Sequence, residues 1–394
     1  MDEIAVVEQA LRRADPHMLL SVVDEALRTY YGARRAELRL ADYGLRSLQL
    51  VGSSADAVQP LSIHSSPQGR VFGSQEPYIT RTADSVEAHL PVTVRGDRLG
   101  VLTVTMPAEQ DLPPLLPDLL HLCEALGHEI LVAERDTDLY VLARRAARLT
   151  LAAEMQWQLL PGRSCSRPEF SLGAHLEPAY AIFGDNYDWS ASDDHLTLTV
   201  TNGMGEGIEA ALLTNLAINA LRNARRAGLG LADQATLADQ AVYAQYRGSA
   251  HVSVLLLRFD FTTGEVEAVD AGSPRLWRLR DRTVEPVAFD AQLPLGMFED
   301  TVYATEHFTV RPGDRLLFGS DGVYDASSPE GESYGDKALA RALTSTRLLP
   351  PAQVPGAVLR RLAEYHGDTP LEDDALVVCL DWRGREQPSE NAHP

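Results

Sequence analysis

The chain has 394 residues, of which 45% are hydrophobic and 23% are charged, as in a globular protein with two or three domains. Its net charge of -21 and its single lysine, Lys337, argue against nucleic acid and anionic membrane surfaces as partners, because like charges repel. The three cysteines are too widely separated to indicate a disulfide framework or a zinc site, and no window approaches the roughly 18 apolar residues of a membrane span, so a cytoplasmic protein is expected.

The first part of the chain, residues 1–133, predicts a domain of helices and strands. Apolar residues at helical spacing indicate two short helices between residues 4 and 31, interrupted at Pro16. Strand patterns follow at 37–40 and 47–51, then a loop with a short helix or strand at 62–72, then a hairpin of residues 88–94 and 98–105. This order is similar to that of GAF-type sensor domains, which implies a small-molecule pocket or a dimer contact. His64 and His89 are candidate ligand contacts or, equally, ordinary surface histidines.

Residues 119–160 show a continuous helical pattern, and residues 134–162 are predicted to form a helical linker. Two rows of residues recur every seven positions, as in a coiled-coil seam: Leu139, Ala146, Ala153 and Leu160, with Leu142, Leu149 and Gln156. The register slips around residues 136–138, where a coiled coil would unwind locally. A homodimer joined through this helix is expected, and a helix packed on its own domain is the alternative.

Residues 163–385 predict a second domain that combines many strands with several long helices. Strand patterns occur at 171–176, 196–201, 252–261, 265–270, 276–279, 314–318 and 375–382, and helical patterns at 207–226, 232–246, 336–346 and 352–366. Strands and helices do not alternate strictly, which favours an α+β sandwich. The polar tail, residues 386–394, is predicted to be disordered.

Two short loops of the second domain concentrate acidic and amide side chains. Residues 183–188 (FGDNYD) and 202–207 (NGMGEG) flank a predicted strand, so both loops are expected at one edge of a sheet. Clustered carboxylates repel one another unless a cation neutralises them, and glycine lets a backbone carbonyl approach such a cation. The pattern therefore indicates a hard, oxygen-binding metal. Asp and Gly are also common in turns, so a simple hairpin is the alternative.

A series of short motifs in this domain resembles the SpoIIE/RsbU-type branch of the PPM (protein phosphatase 2C-like) metal-dependent phosphatases. The motifs follow the order and spacing of that family from about residue 155 to 382. They are 156–161 (QWQLLP), 177–179 (EPA), 184–188 (GDNYD), 203–211 (GMGEGIEAA), 270–274 (DAGSP), 293–296 (LPLG), 311–314 (RPGD), 320–326 (SDGVYDA) and 372–375 (EDDA).

This resemblance implies a β-sandwich flanked by helices, with two Mn²⁺ or Mg²⁺ ions at one end that activate a water for attack on a phosphoserine or phosphothreonine. By position, Asp185, Asp321 and Asp373 match the catalytic, metal-binding carboxylates, and Gly203 matches the residue that offers a backbone carbonyl. Asp188 and Asp374 match neighbours of the site. The implied substrate is a phosphoprotein, an anti-sigma-factor antagonist, in a sensor-regulated pathway.

Asn202 occupies the position where the family has the aspartate that bridges both metals. An amide oxygen can bind a cation but lacks the negative charge that holds two divalent ions together, so reduced metal occupancy is expected. Phe183, where glycine is usual, and Ser273, where histidine is common, are smaller departures. Asn202 followed by Gly203 is also prone to deamidation, which would create the missing carboxylate.

Three interpretations remain open from the sequence. The first is a working phosphatase with altered metal demand, and the second is a pseudophosphatase that acts as a regulatory binding module. The third is a ligand-sensing module whose output is dimer geometry. If the linker helix carries the state of the first domain to the metal loops through residues 156–161, changes at Leu142 or Leu149 should alter activity.

Overall fold

The computed structural model describes residues 3–52, 59–146, 148–177, 183–272, 274–328, 331–335, 337–367 and 373–385. The chain divides into two compact units, Met1–Arg148 and Leu149–Pro394. Within the described ranges, none of the helices combines the length and the hydropathy needed to cross a membrane.

The N-terminal unit is built on one six-stranded antiparallel sheet with the order β3-β2-β1-β6-β5-β4. Its elements are α1 (Glu3–Arg13), α2 (Leu19–Tyr31), β1 (Arg35–Ala41), β2 (Ser47–Leu50), β3 (Leu61–Ser62), α3 (Pro67–Ser74), β4 (Tyr78–Arg81), β5 (Ser85–Val94), β6 (Asp97–Pro107), α4 (Leu116–Ala133) and α5 (Leu139–Ala143). Apolar residues of α1, α2 and α4 form the main core with one face of the sheet, and α3 contributes to a smaller cluster on the other.

Local sequence explains the breaks between these elements. Pro16 follows α1 and lies at the start of a short 3₁₀ turn, because proline cannot continue the preceding helix. Gly32 ends α2 in the left-handed conformation, with φ of 66°. Arg95 and Gly96 both have positive φ and form the tight turn between β5 and β6. The hairpin and the two predicted N-terminal helices are therefore present.

The predicted continuous helix over residues 119–160 is wrong. The chain instead forms α4, α5 and a third helix, α6 (Leu151–Leu159), with non-helical backbone between them. The Thr150 hydroxyl caps α6 by accepting a hydrogen bond from the Ala153 amide at 3.2 Å, so α6 starts as a new helix. Leu142 is 56% exposed whereas Gln156, in the same heptad row, is 3% exposed, so this row does not lie on one continuous helix face. Heptad spacing alone did not reveal the local stop and start signals.

The C-terminal unit contains two antiparallel sheets, ordered β15-β12-β11-β10-β9 and β14-β13-β16-β17-β8-β7. Besides α6, its elements are β7 (Ser164–Ser166), β8 (Phe170–Glu177), β9 (Asn186–Ala191), β10 (His195–Gly203), α7 (Gly207–Arg226), α8 (Leu231–Tyr246), β11 (Val252–Asp260), β12 (Glu265–Ala271), β13 (Arg275–Arg280), β14 (Thr283–Val287), β15 (Glu306–Thr309), β16 (Arg315–Gly319), α9 (Asp321–Tyr324), α10 (Ala338–Ser345), α11 (Val354–His366) and β17 (Ala375–Trp382).

The two sheets pack face to face as a β-sandwich. Leu196, Leu198 and Val200 alternate along β10 and point into the core shared with Leu316 and Phe318 of β16. The outer face of the first sheet packs against α7 and α8, and that of the second against α10 and α11. The predicted α+β fold, with a sandwich flanked by helices, is confirmed.

Several element bounds agree with the sequence patterns, most closely α7 and β17. The clearest difference concerns residues 183–188, expected as a loop, because β9 begins at Asn186 and pairs along β10. Its edge position and mixed polar residues gave no strong strand pattern. The consequence for the site is that Asp185 immediately precedes a fixed strand.

Candidate active site

Asp185 is a buried carboxylate at the end of the sandwich where β10 and β16 also end. Its side chain is 1% exposed, and neither carboxylate oxygen has a hydrogen-bond partner in the described ranges. Burial raises the pKa of Asp185 well above its ordinary value, and the nearby charge of Asp374 raises it further, whereas the neighbouring Ser320 side chain opposes the shift. The site thus contains a carboxylate whose charge the described protein groups leave largely uncompensated.

Gly203, at the end of β10, lies against the residue that precedes Asp185. Its amide donates a hydrogen bond to the Gly184 carbonyl at 3.2 Å, and the Thr214 hydroxyl of α7 donates to the same carbonyl at 2.9 Å. A Cβ atom on Gly203 would lie 2.4 Å from the Thr214 hydroxyl, so only glycine allows this approach. The close packing fixes the two predicted loops side by side.

Asn202 forms a direct contact with Asp321, the first residue of α9. The Asn202 side-chain amide donates to Asp321 Oδ1 at 2.5 Å, and the Gly322 amide donates to the same oxygen at 3.0 Å. The opposite orientation of the Asn202 amide would place two acceptor oxygens against each other unless a cation lay between them. The position expected to bridge two metals therefore neutralises part of the Asp321 charge through a hydrogen bond.

Asp373 and Asp374 complete the acidic group. The Asp374 amide donates to Asp373 Oδ1 at 2.7 Å. Burial raises the pKa of Asp373 to about 6, helped by the charge of Asp321. Asp374 is fully buried, and its Oδ2 accepts from the Phe183 amide and from the Gln156 side chain, each at 3.0 Å. Asp374 is therefore a hydrogen-bonded support beside the cluster.

Gln156 of α6 links the linker-side helix to the acidic loops within the C-terminal unit. Its Nε2 donates to the Asp185 carbonyl at 2.9 Å as well as to Asp374. The sequence pattern assigned Gln156 to a coiled-coil row and missed this role. The sequence signals were an amide in an otherwise apolar row and the position of Gln156 at the start of the motif 156–161, and neither identified the contacts of its side chain.

Asp188 belongs to a different network. Arg222 donates to Asp188 Oδ1 at 2.8 Å and Arg225 donates to Oδ2 at 2.8 Å. Arg222 also donates to the Leu159 carbonyl at 2.7 Å, which ties the end of α6 to α7. Asp188 therefore stabilises the fold beside the site and takes no part in the acidic cluster.

The residues present fit a cation beside Asp185 better than they fit a bridged pair. The described ranges contain no three His, Cys, Asp or Glu side chains already converged as a ligand set. The orphaned Asp185 oxygens nevertheless provide a buried anionic position that favours a cation. Asp321, by contrast, already accepts two hydrogen bonds. Ser273, residues 178–179 and residue 372, which belong to the predicted motifs, lie outside the described residues.

A cleft of about 660 Å³ is lined by Trp277, Phe289, Tyr324 and Arg275, with Asp270 and Asp325 also on its wall. The guanidinium carbon of Arg275 lies 3.8 Å from the centre of the Tyr324 ring.

Arg275 differs from the two other arginines of β13. Arg278 is paired with Glu285 and Arg280 with Asp314, whereas Arg275 has no acidic partner among the described residues. Arg275 pairs with Gly319 across β13 and β16, so it lies at the strand end that leads into Asp321. The cleft therefore offers one cation to an anionic group near the acidic cluster.

Comparison with known proteins shows which proteins this chain is similar to. The sequence model described as Stage II sporulation protein E (SpoIIE) matches residues 192–383. Phosphoserine phosphatase RsbU of Bacillus subtilis is 20% identical over 239 residues, which cover 59% of this chain and 71% of RsbU. Phosphoserine phosphatase RsbP of the same organism is 22% identical over 166 residues, 41% of each chain. Protein IcfG of a Synechocystis species is 20% identical over 220 residues, 49% of this chain but only 35% of IcfG.

Among solved structures, the SpoIIE phosphatase domain with a fragment of its regulatory domain, from Bacillus subtilis, is 14% identical with a TM-score of 0.49, covering 96% of this chain and 94% of that one. The RsbU and RsbW domains of Rv1364c from Mycobacterium tuberculosis are 23% identical with a TM-score of 0.49, covering 56% and 63%. The family match and the two phosphatase relatives make residues 192–383 similar to the SpoIIE-type phosphatases.

Proposed function

We propose that this protein is a metal-dependent protein phosphatase that removes phosphate from a phosphoserine or phosphothreonine of a regulatory protein. The observation that carries the proposal is the buried, unpartnered carboxylate of Asp185 beside Asp321, Asp373 and Asp374. A fold that leaves this charge uncompensated gains free energy when a cation binds there. The similarity of residues 192–383 to the SpoIIE sequence model supports the same chemistry.

The residues that would hold Mn²⁺ or Mg²⁺ are Asp185, Asp373 and Asp321, with the Gly203 carbonyl and, after rotation of its amide, the Asn202 oxygen. When bound, such an ion supplies Lewis-acid activation of a water and of the phosphoryl oxygens. Gln156 and Thr214 act as positioning residues, because their hydrogen bonds fix the backbone on either side of Asp185. One ion is the expected occupancy, since Asn202 lacks the charge that would hold a second.

The proposed substrate is a phosphoprotein of the anti-sigma-factor antagonist type, acted on in the cytoplasm. The similarity to RsbU and RsbP, both phosphoserine phosphatases, supports this substrate class. The cleft lined by Arg275 and Tyr324 would receive the polypeptide around the phosphorylated residue, with Arg275 contacting an anionic group. The N-terminal unit would act as a GAF-like sensor domain in a homodimer, and its state would reach the site through α6 and Gln156.

The alternative function is that of a pseudophosphatase that binds a partner without turnover. The hydrogen bond from Asn202 to Asp321 favours it, because this contact holds two site residues together without a metal ion. A site closed in this way would retain the shape of the family fold and lose metal affinity. The two functions therefore differ in how strongly the wild-type protein binds Mn²⁺.

The test compares the full-length wild type with Asn202→Asp and Asp321→Ala. Mn²⁺ binding is measured by titration calorimetry, and hydrolysis is measured with a phosphoserine peptide and with an aryl phosphate. A phosphatase predicts one bound Mn²⁺ per wild-type chain, hydrolysis by wild type and loss of hydrolysis by about a thousandfold in Asp321→Ala. Asn202→Asp is expected to bind a second ion.

Two results would decide against the phosphatase. Wild type that binds no Mn²⁺ and hydrolyses neither substrate, while Asn202→Asp does both, would establish the pseudophosphatase. Hydrolysis that survives Asp321→Ala unchanged would mean that the acidic cluster is not the active site. Mass spectrometry of the peptide around residue 202 excludes contamination of wild type by deamidated chain.

A further inference from the structure

A buried guanidinium without a partner lies on β1, at the middle of the N-terminal sheet. Arg39 is 7% exposed, and its Nη1 has no hydrogen-bond partner in the described ranges. Glu37, two residues earlier on the same face, is already paired with Arg35. Burial lowers the pKa of the Arg39 guanidinium, although the Glu37 charge opposes that shift. A buried cation in this state costs folding free energy, so its presence calls for an explanation.

One side of Arg39 is a row of polar side chains that runs across three strands. Glu37 of β1 pairs with Thr103 of β6, and Thr103 pairs with His89 of β5, so the three share the face that carries Arg39. His89 is held by hydrogen bonds of 3.1 Å between its two ring nitrogens and the hydroxyls of Thr103 and Thr80. These partners fix the row independently of Arg39.

The other side of Arg39 is apolar. Arg39 pairs with Val101 of β6, and Val101 packs in a buried cluster with Ala41 of β1 and with Val71 and Phe72 of α3. The guanidinium therefore lies at a boundary between hydroxyl and imidazole groups on one side and aliphatic and aromatic groups on the other. A cationic group beside an apolar cluster matches the chemistry of a small molecule with one charged end.

We propose that the N-terminal unit binds a small organic anion, with a carboxylate or phosphate group on Arg39 and an apolar body against the Val71–Phe72 side. The planar guanidinium fork matches either anion with two parallel hydrogen bonds. Binding would remove the cost of the unpaired buried charge, which gives the site its affinity. This inference does not depend on the phosphatase activity of the C-terminal unit.

The test measures hydrogen exchange of the β1 amides, Arg35–Ala41, in the full-length protein. Inorganic phosphate and benzoate are added separately, each against chloride at equal ionic strength. The variants are Arg39→Met and, as a matched loss of one surface charge, Arg12→Met, whose partner Glu8 is 3.8 Å away. Protection by at least one anion, about tenfold in wild type and in Arg12→Met but absent in Arg39→Met, is the expected result.

A second expectation concerns the protein without added anion. Exchange of the β1 amides in Arg39→Met should be slower than in wild type by about tenfold, because the substitution removes a buried unpaired charge. If Arg39→Met fails to fold, Arg39→Lys replaces it, with weakened anion protection expected because the ammonium lacks the fork. Protection by benzoate but not phosphate would identify a carboxylate ligand, and the reverse a phosphate.

Three outcomes would overturn the proposal. The first is a wild-type β1 that neither anion protects beyond chloride. The second is anion protection that persists in Arg39→Met. The third is phosphate protection confined to the C-terminal unit, which would report binding at the acidic cluster instead. Because the readout is exchange in β1, an inactive phosphatase domain would leave the result unchanged.

Discussion

Asp185 and Asp188 lie three residues apart at the start of β9 and are both buried, but their electrostatic surroundings are opposite. Two arginines of α7 hold Asp188, whereas Asp185 has no hydrogen-bond partner in the described ranges. Helix α7, which supplies Arg222 and Arg225, thus forms ion pairs with Asp188 and, among the described residues, none with Asp185. The difference shows that this fold can neutralise a buried charge, so the unpaired one is the better marker of a binding site.

The largest expected effect on stability comes from removing the charge of the paired carboxylate, Asp188. Asp188→Asn should lower the free energy of unfolding of the C-terminal unit by about 3 kcal/mol, because Arg222 and Arg225 would lose their shared anionic partner. All four tryptophans, Trp157, Trp189, Trp277 and Trp382, lie in this unit, so urea unfolding followed by tryptophan fluorescence measures it selectively.

The exposed Asp193→Asn is the control for Asp188→Asn and should change stability by less than about 0.5 kcal/mol. Equal stability of Asp188→Asn and wild type would remove the distinction between the two carboxylates.

Removing the charge of the unpaired carboxylate, Asp185, should instead stabilise the metal-free protein. In EDTA at pH 7.5, Asp185→Asn should raise the free energy of unfolding by about 2 kcal/mol, because the neutral amide avoids the charge that burial and Asp374 disfavour. Mn²⁺ should stabilise wild type and have a smaller effect on the variant. A variant less stable than wild type in EDTA would mean that Asp185 is compensated in a way the described contacts do not contain.

The same cluster should make the stability of the metal-free wild-type protein depend on pH. A carboxyl group with a raised pKa binds its proton more tightly in the folded than in the unfolded chain, so its stabilising contribution is complete below about pH 4 and declines as pH rises through the folded pKa. Burial raises the pKa of Asp373 to about 6. Tryptophan-monitored stability in EDTA should therefore fall between about pH 4 and pH 7, more steeply in wild type than in Asp185→Asn, and a slope unaffected by Mn²⁺ would contradict this account.

The smallest expected effect concerns the cleft. Arg275→Gln should raise the KM for a phosphopeptide with acidic flanking residues by about fivefold, the scale of one charge-assisted contact, and leave kcat and aryl phosphate hydrolysis unchanged. Arg282→Gln, in the exposed turn of the same hairpin, controls for the loss of one charge. A parallel rise of KM in both variants would assign the effect to general electrostatics.

Much of the site could be predicted from sequence because its parts are local. The motifs that contain Asp185, Gly203, Asp321 and Asp373 stand at turns that join regular elements, and strand and helix periodicity was strong enough to place those elements. Gln156 could not be assigned in this way. Its role depends on contacts with Asp185 and Asp374, and the Asp374 contact spans 218 positions of sequence.

The predicted linker helix, residues 134–162, shows what sequence periodicity could not predict. Seven-residue spacing of apolar residues describes one face of a helix only if the backbone stays helical, and the cap at Thr150 begins a separate helix. Tertiary contacts of α6 with α7 and with the acidic loops then decided which of its residues are buried. Periodicity therefore identified the helical segments and did not reveal where they end.

By itself, the sequence determined the α+β class and the order of most strands and helices of the sandwich, because these depend on local periodicity and turn chemistry. The set of carboxylates at its loops followed from the resemblance of short motifs to a phosphatase family. Tertiary structure alone decided which charges have partners: Asp188 has two, Asp185 and Arg39 have none in the described ranges, and Asn202 donates to Asp321. The physical reason is that compensation of a buried charge depends on groups brought within hydrogen-bond distance by folding, and no local pattern encodes that distance.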